Sequence, residues 1–241
     1  MRSSYTLATV MISTAIAASS ASANFSAHYI GYGEFQNGGV GYSTALAWNS
    51  TAAVTMFNLK LAEHKWDVGG TTVYTWCAQV YQGVTAGYTY DYSAVELELA
   101  PSTPPAPGPM GVAKACLLRD TMSRWLGADG RVIASAGSAP AATAAFAALA
   151  WEIIHENLAT QDVEIARSRI SAQTGAFRIA LTGEAAQIFA NMVSAIGQGG
   201  FQFSQAEGWN SPTAQDQFRF VPSPGALALL GLAGFVARRR R

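Results

Sequence analysis

The sequence predicts an α+β fold, an antiparallel, barrel-like β part followed by a small layer of about three helices. Three observations carry this. From Phe25 to Leu99, apolar and polar residues alternate with a period of two, the pattern of strands with one buried and one wet face. Prolines at 101, 104, 105, 107 and 109 then end β pairing and form a stiff connector. Beyond them, apolar residues recur at i, i+3, i+4 and i+7, the spacing of amphipathic helices. The chain has 241 residues, half of them apolar, which is enough to bury the core of one domain.

Within the β part, Gln36-Asn-Gly-Gly39 signals a hairpin, because Asn-Gly supplies positive φ at both turn positions. Gly31, Gly33, Gly39 and Gly41 do not make a phosphate cradle, since no helix pattern follows them. Val54, Met56, Leu59 and Leu61 predict another strand, which Asp67-Val-Gly-Gly70 turns into the stretch Thr71 to Tyr81. There Tyr74, Trp76 and Val80 form one face and Thr75, Cys77 and Gln79 the other. The second face is the more polar, so Cys77 is expected to point toward a second layer rather than into the sheet core. Tyr88, Tyr90 and Tyr92, then Val95, Leu97 and Leu99, continue the alternation. The tyrosine stripe reads as half-buried sheet, with a carbohydrate-stacking platform as the rarer alternative.

After the connector, Val112, Ala115, Leu118, Met122, Trp125 and Leu126 mark a first helix stopped by Gly127, with Cys116 at the stripe's edge. Ser138 caps a second helix with Pro140 in its first turn, and Phe146, Leu149, Ala150, Ile153 and Ile154 form its buried face. Phe177-Arg-Ile-Ala-Leu181 reads as a returning strand. Thr182-Gly-Glu184 opens a third helix that Gly197 ends, its face formed by Ala185, Ile188, Phe189, Met192, Val193 and Ile196. From there to Phe220 the chain reads as a polar wrap-back and stalk. The expected organisation is a signal peptide over 1–23 and one exported domain over 24–210. That domain divides into a β part (24–100), a connector (101–109) and a helical part (110–200). A stalk over 211–220 and a tail over 221–241 follow.

The two ends set the destination. Arg2, an apolar run from Leu7 to Ala18, and Ala21-Ser-Ala23 have the form of a secretory signal cut between Ala23 and Asn24. An uncleaved anchor helix is the alternative. At the far end, Val221-Pro222-Ser223-Pro224 breaks the chain before an apolar stretch and Arg238, Arg239, Arg240 and Arg241. A helix over 225–237 would be about 20 Å long, short against a hydrocarbon core of about 30 Å, with the basic cluster as an orienting stop. Packing as a core helix would not need four arginines. Between Asn24 and Phe220 lie ten basic and fifteen acidic residues, a net charge of −5. This disfavours nucleic acid as a partner.

The Val-Pro-Ser-Pro boundary, the Ala/Leu/Gly stretch and the terminal arginines resemble the PEP-CTERM sorting tail of bacteria that carry an exosortase. Ser223 stands where that family most often has Glu. The resemblance implies signal peptidase and an exosortase-type enzyme as processing partners, and transient membrane anchoring by the tail. A second resemblance covers residues 73–156 well and the flanks loosely. Its motifs are Tyr74-Thr-Trp-Cys77, Gly87-Tyr-Thr-Tyr90, Pro109-Met-Gly-Val-Ala-Lys-Ala115, Leu117-Leu-Arg119 and Ala144-Ala-Phe-Ala-Ala-Leu-Ala-Trp151-Glu-Ile153. Together they look like the thioester-type domains of bacterial surface proteins. That implies a module in which a strand cysteine and a helix glutamine condense to a thioester that captures a surface amine or hydroxyl. The cysteine matches at Cys77. In the family pattern Phe-Gln-x-Ala-x-Trp the glutamine follows the Phe, four residues before the Trp, and here Ala147 stands there. Alanine has no carboxamide, so the ordinary bond cannot form. Gln79 and Gln82 are the nearest substitutes in sequence.

Cys77 and Cys116 are an even pair and a disulfide candidate in an oxidising compartment. If sheet and helix pack as the resemblance implies, such a bond would tie Cys77 to the first helix. Two cysteines make no zinc site, and no metal or cofactor is expected. A cysteine hydrolase is a further alternative. However, His155 lies two turns past Ala147, about 12 Å along the helix axis, far from the roughly 3 Å a nucleophile and its base require. His28 and His64 show no third group, and Glu152 with Glu156 reads as a solvated helix face. The reading is a non-enzymatic, exported cell-envelope protein, structural or adhesive, facing an extracellular polymer or surface. Its alternatives are a covalent adhesin with another acyl partner and a Cys-dependent hydrolase.

Overall fold

The computed structural model describes residues 23–36, 43–48, 52–57, 59–80, 82–102, 107–158 and 162–221. The chain is α+β. The described strands are β1 (Ala23–Gln36), β2 (Ser43–Trp48), β3 (Ala52–Phe57), β4 (Leu61–Val68), β5 (Thr71–Cys77), β6 (Thr89–Glu96), β7 (Phe177–Ile179), β8 (Gln205–Asn210) and β9 (Gln217–Val221). The described helices are α1 (Gly111–Trp125), α2 (Ala139–His155), α3 (Val163–Arg169) and α4 (Gly183–Ala195). Six strands close an antiparallel barrel in the order β1-β4-β5-β9-β8-β6, and β3-β2-β7 form a separate small sheet.

The alternation read in the sequence builds the barrel. Trp66, Tyr29, Tyr92 and Trp209 are fully buried inside it. Trp66 meets Tyr92 edge-on at 5.4 Å between ring centroids and donates from Nε1 to Thr75 Oγ1 at 2.8 Å. Aromatic rings of this size fill a six-stranded lumen, and the indole N–H finds an internal acceptor, as a buried Trp requires. The β4–β5 hairpin turns at Gly69 (φ 60°) and Gly70 (φ 84°), the left-handed pair that such two-residue turns demand. Gly33 is needed for another reason. A Cβ there would lie 2.2 Å from Oε1 of Glu63, a carboxylate that is 1% exposed and accepts from Glu34 N and Arg131 Nε.

Outside the barrel, α2 forms the centre of the helical layer. Its residues from Ala141 to His155 are all buried, because β1, β4, α1, α4 and β7 surround it. Seven alanines between 141 and 150 keep it thin enough for neighbours to close on every side. Ser138 stands at its N-cap position and Pro140 in its first turn, as expected. The Ser138 side chain, however, donates to the Glu184 carboxylate of α4, so it joins two helix starts instead of capping its own.

Several expectations are corrected. The Gln36-Asn-Gly-Gly39 signal is not a hairpin between successive strands: β1 pairs with β4 and β6, and β2 with β3 and β7. Residues 37–40 themselves lie outside the described residues. The single strand expected over 54–61 is two strands in different sheets. Alternation in β6 stops at Glu96, and Leu97–Leu99 is a 3₁₀ turn with Leu97 buried and Leu99 exposed. The tyrosine stripe does not face outward as a platform. Tyr92 is buried, Tyr90 packs beside it, and only Tyr88, before the strand, is exposed. The helical layer gains the short α3, whose cap is Asp162 accepting from Ile165 N at 2.9 Å. The stalk expected over 211–220 is the β8–β9 connection and β9. Both strands belong to the barrel, so the domain runs through Val221 rather than ending at 210.

Candidate functional site

Cys77 is the last residue of β5, opposite Gln217 of β9, and α2 lies across that strand end. Trp76 turns outward to the helices and packs on Phe146 with ring centroids 4.5 Å apart, its Nε1 donating to the Gly130 carbonyl at 3.0 Å. Thr75 turns inward, donating to Gln217 Oε1 at 2.9 Å while accepting from Trp66. The expectation for this strand is thus reversed: the aromatic face meets the second layer, because polar Thr75 satisfies a buried indole and a buried amide inside the barrel. Cys77 sits at the rim between the two layers, 5% exposed. Tyr29, Tyr32 and Tyr92 are within electrostatic reach of its thiol, and Trp151 approaches it from α2.

Trp151 Nε1 donates to the Cys77 carbonyl at 2.9 Å. Ala147 precedes Trp151 by one turn on the same helix face and is buried. The fold therefore brings the helix stripe that carries position 147 to the end of the cysteine strand. Residue 147 contributes only a methyl group.

Four glutamines surround the strand end. Gln79 Nε2 donates to Gln82 Oε1 at 2.7 Å, Gln215 Nε2 to the Gln79 carbonyl at 3.0 Å, and Gln217 Nε2 to the Gln215 carbonyl at 3.1 Å. Gln79 Oε1 is buried without a hydrogen-bond partner among the described residues. Asp216, fully buried, accepts from Ser211 N, Ser102 N and Ser102 Oγ, each at 2.6 Å, and its backbone carbonyl accepts from Ala78 N. Burial raises the Asp216 pKa against the lowering effect of those donors. Burial also pushes the Cys77 thiol up, only partly offset by hydrogen bonding from the Gln79 backbone and from Trp151. An activated cysteine needs the opposite shift.

The histidines are engaged elsewhere. His155 Nδ1–H donates to the Trp151 carbonyl at 2.9 Å, and His28 pairs with Thr89 at the surface. His64 lies inside the barrel, its ring 5.3 Å from both Tyr29 and Tyr32. Burial lowers the pKa of His64 and His155 to about 3, so both are neutral at ordinary pH.

Cys77 and Cys116 are both buried free thiols, which corrects the disulfide expectation. Helix α1 packs on the 3₁₀ turn and on α2, whereas α2 covers β5, so Cys116 is on the wrong helix to meet Cys77. The solvated-face reading of Glu152 and Glu156 is corrected too, since they are 0% and 6% exposed. Glu156 accepts from Asn157 N and Ala176 N at 2.9 and 2.7 Å, and a Cβ on Gly175 would lie 2.1 Å from its Oε2. Burial and the Glu156 charge push Glu152 up to about 10, against a lowering contact from the Ser171 backbone. Lys114, lowered by burial, completes this cluster and donates to the Ile154 carbonyl at 2.8 Å.

Ala23 and Asn24 open β1, opposite Ala94 and Ser93, and Val221 closes β9. Pro222, Ser223, Pro224 and Arg238 to Arg241 lie outside the described residues. Among the described residues, no helix is long and apolar enough to cross a membrane, and no three His, Cys, Asp or Glu side chains converge on a metal site. No protein-family model, curated protein or solved structure matches the chain.

Sequence reasoning missed Asp216 and Gln217. Gln217-Phe-Arg-Phe-Val221 does alternate, but it is only five residues long, and Thr75, which Gln217 Oε1 accepts from, is 142 positions away. No local pattern carries that register.

Proposed function

We propose that this chain is an exported, non-enzymatic protein of the bacterial cell envelope, structural or adhesive, whose domain keeps the frame of a thioester-type module without the reactive bond. The Trp151–Cys77 contact carries this reading. It sets the helix stripe of residue 147 against the cysteine strand, where the thioester resemblance requires a carboxamide and this chain has alanine. The buried thiol with its raised pKa suits a packed side chain better than a nucleophile. The same feature disfavours a Cys-dependent hydrolase.

Export and anchoring rest on the sequence, on Ala21-Ser-Ala23 at one end and on Val221 to Pro224 with Arg238 to Arg241 at the other. The partners are signal peptidase, an exosortase-type enzyme, the membrane through the tail, and an extracellular polymer or surface. Replacing Arg238 to Arg241 with Ser is expected to misdirect the protein, because the tail loses its orienting charge. If the variant reaches the surface with the wild-type processed mass, the sorting assignment fails.

One observation favours a second reading, a covalent adhesin with a different acyl partner. Gln217 lies directly opposite Cys77 in the β5–β9 ladder, and residues opposite one another in a sheet have Cβ atoms about 5 Å apart. Attack of the Cys77 thiol on the Gln217 carboxamide carbon would form a thioester and release ammonia.

A further inference from the structure

A groove of about 870 Å³ runs between α4, the α3 end and β7, away from Cys77. Helix α4 is apolar on two faces. Ala185, Ile188 and Met192 are buried in the main core, Ala186, Ala190 and Val193 line the groove, and Phe189, buried in the core, also borders it. That second stripe repeats at i, i+3, i+4 and i+7, the spacing of a helix face made to be covered. Ile179 and Leu181 form the facing wall.

The charge of the lining is one-sided. Arg167 and Arg178 are its only ionisable groups among the described residues, although the chain between Asn24 and Phe220 carries a net −5. Arg167 is held by Glu164 at 3.0 Å and by the Ile196 carbonyl. Arg178 is exposed, and among the described residues it makes only a long 3.4 Å contact, from Nε to the Gly175 carbonyl. A guanidinium with open donors beside an apolar stripe is complementary to a carboxylate attached to a hydrocarbon. The volume falls within the roughly 300–1,000 Å³ of small-molecule sites, whose walls are mostly apolar with a few placed polar groups.

We infer that this groove binds a long-chain carboxylate, its acyl chain along Ala186, Phe189, Ala190 and Val193 and its head on Arg178. The site is independent of the export reading and of Cys77.

The test is calorimetric titration of the full chain with hexadecanoate below its micellar concentration. Saturable one-to-one binding is expected. Arg178→Gln should weaken it about tenfold, as should replacing the ligand by hexadecanol, because each removes one charge-assisted contact. Ala190→Trp should abolish it by filling the groove. Thermal melting checks that the variants fold, and Ala190→Leu serves if the tryptophan variant does not. No binding, equal affinity for hexadecanol, or binding unchanged by both Arg178→Gln and the groove-filling variant would overturn the inference. So would a concentration-dependent dimer that the groove-filling variant dissociates, since the stripe would then belong to a second copy of the chain.

Discussion

The indole Nε1 of Trp151 donates to the carbonyl oxygen of Cys77 at 2.9 Å, and this bond fixes where α2 crosses the end of β5. The ring also meets Phe177 of β7 edge-on at 6.2 Å, so one side chain joins the barrel, the central helix and the small sheet. Trp151→Phe keeps most of the ring packing and removes the donor. A buried carbonyl that loses its partner costs about 1–3 kcal/mol. Urea denaturation should show that loss as a lower midpoint with an unchanged slope. An unchanged midpoint would mean that the bond does not hold the two layers together.

Asp216 organises the chain next to that contact. Its carboxylate gathers the 102 and 211 backbones, and its carbonyl holds Ala78, the residue after Cys77. Asp216→Ala would leave the buried Ser211 N–H and the part-buried Ser102 N–H without their acceptor, at about 1–3 kcal/mol for the buried one and less for the other. The expected result is the loss of several kcal/mol by equilibrium unfolding, with a smaller loss for Asp216→Asn. A loss below about 1 kcal/mol for the alanine variant would contradict this.

Stability should peak near neutral pH. His64 and His155 have folded pKa values of about 3, below the unfolded value of 6.5. As pH falls from 6.5 toward 3 the unfolded chain binds more protons, and each histidine costs about 1.4 kcal/mol per pH unit. Glu152 acts in the opposite sense. Its folded value of about 10 exceeds the ordinary 4.5, so its contribution is complete below 4.5 and is lost as pH rises toward 10. Glu152→Gln should therefore raise the melting temperature over wild type by an amount that grows from pH 5 to pH 9. A constant difference would show that Glu152 is not held neutral.

Much of the fold is legible in the sequence, and the illegible parts share a cause. Alternation marks the Trp76 strand, and Gly69-Gly70 marks its hairpin, because period and turn chemistry are local. The faces of α2 and α4 are readable for the same reason. Which strand lies beside which is not local. Asn37-Gly suggests a hairpin, yet β1 leaves its sequence neighbour and pairs with β4 and β6. Polarity alone points the Cys77 face to the outside, which the buried partners of Thr75 overturn. Thr75 instead faces inward, where Trp66 and Gln217 need its hydroxyl. Glu152 and Glu156 look like a solvated pair in sequence. Their burial follows from packing on all sides of α2, which spacing along one helix cannot reveal.

The state of Cys77 is tested most directly by the intact mass of the purified chain before and after methylamine. If Cys77 is a packed free thiol and Ala147 leaves it without an acyl partner, the mass equals that of the processed sequence and methylamine changes nothing. Ala147→Gln, which returns a carboxamide to that helix stripe, should lower the mass by about 17 Da through loss of ammonia. A wild-type chain already lighter by about 17 Da, which gains about 31 Da with methylamine, would contradict the reading and point to a thioester on another glutamine, with Gln217 the first to replace.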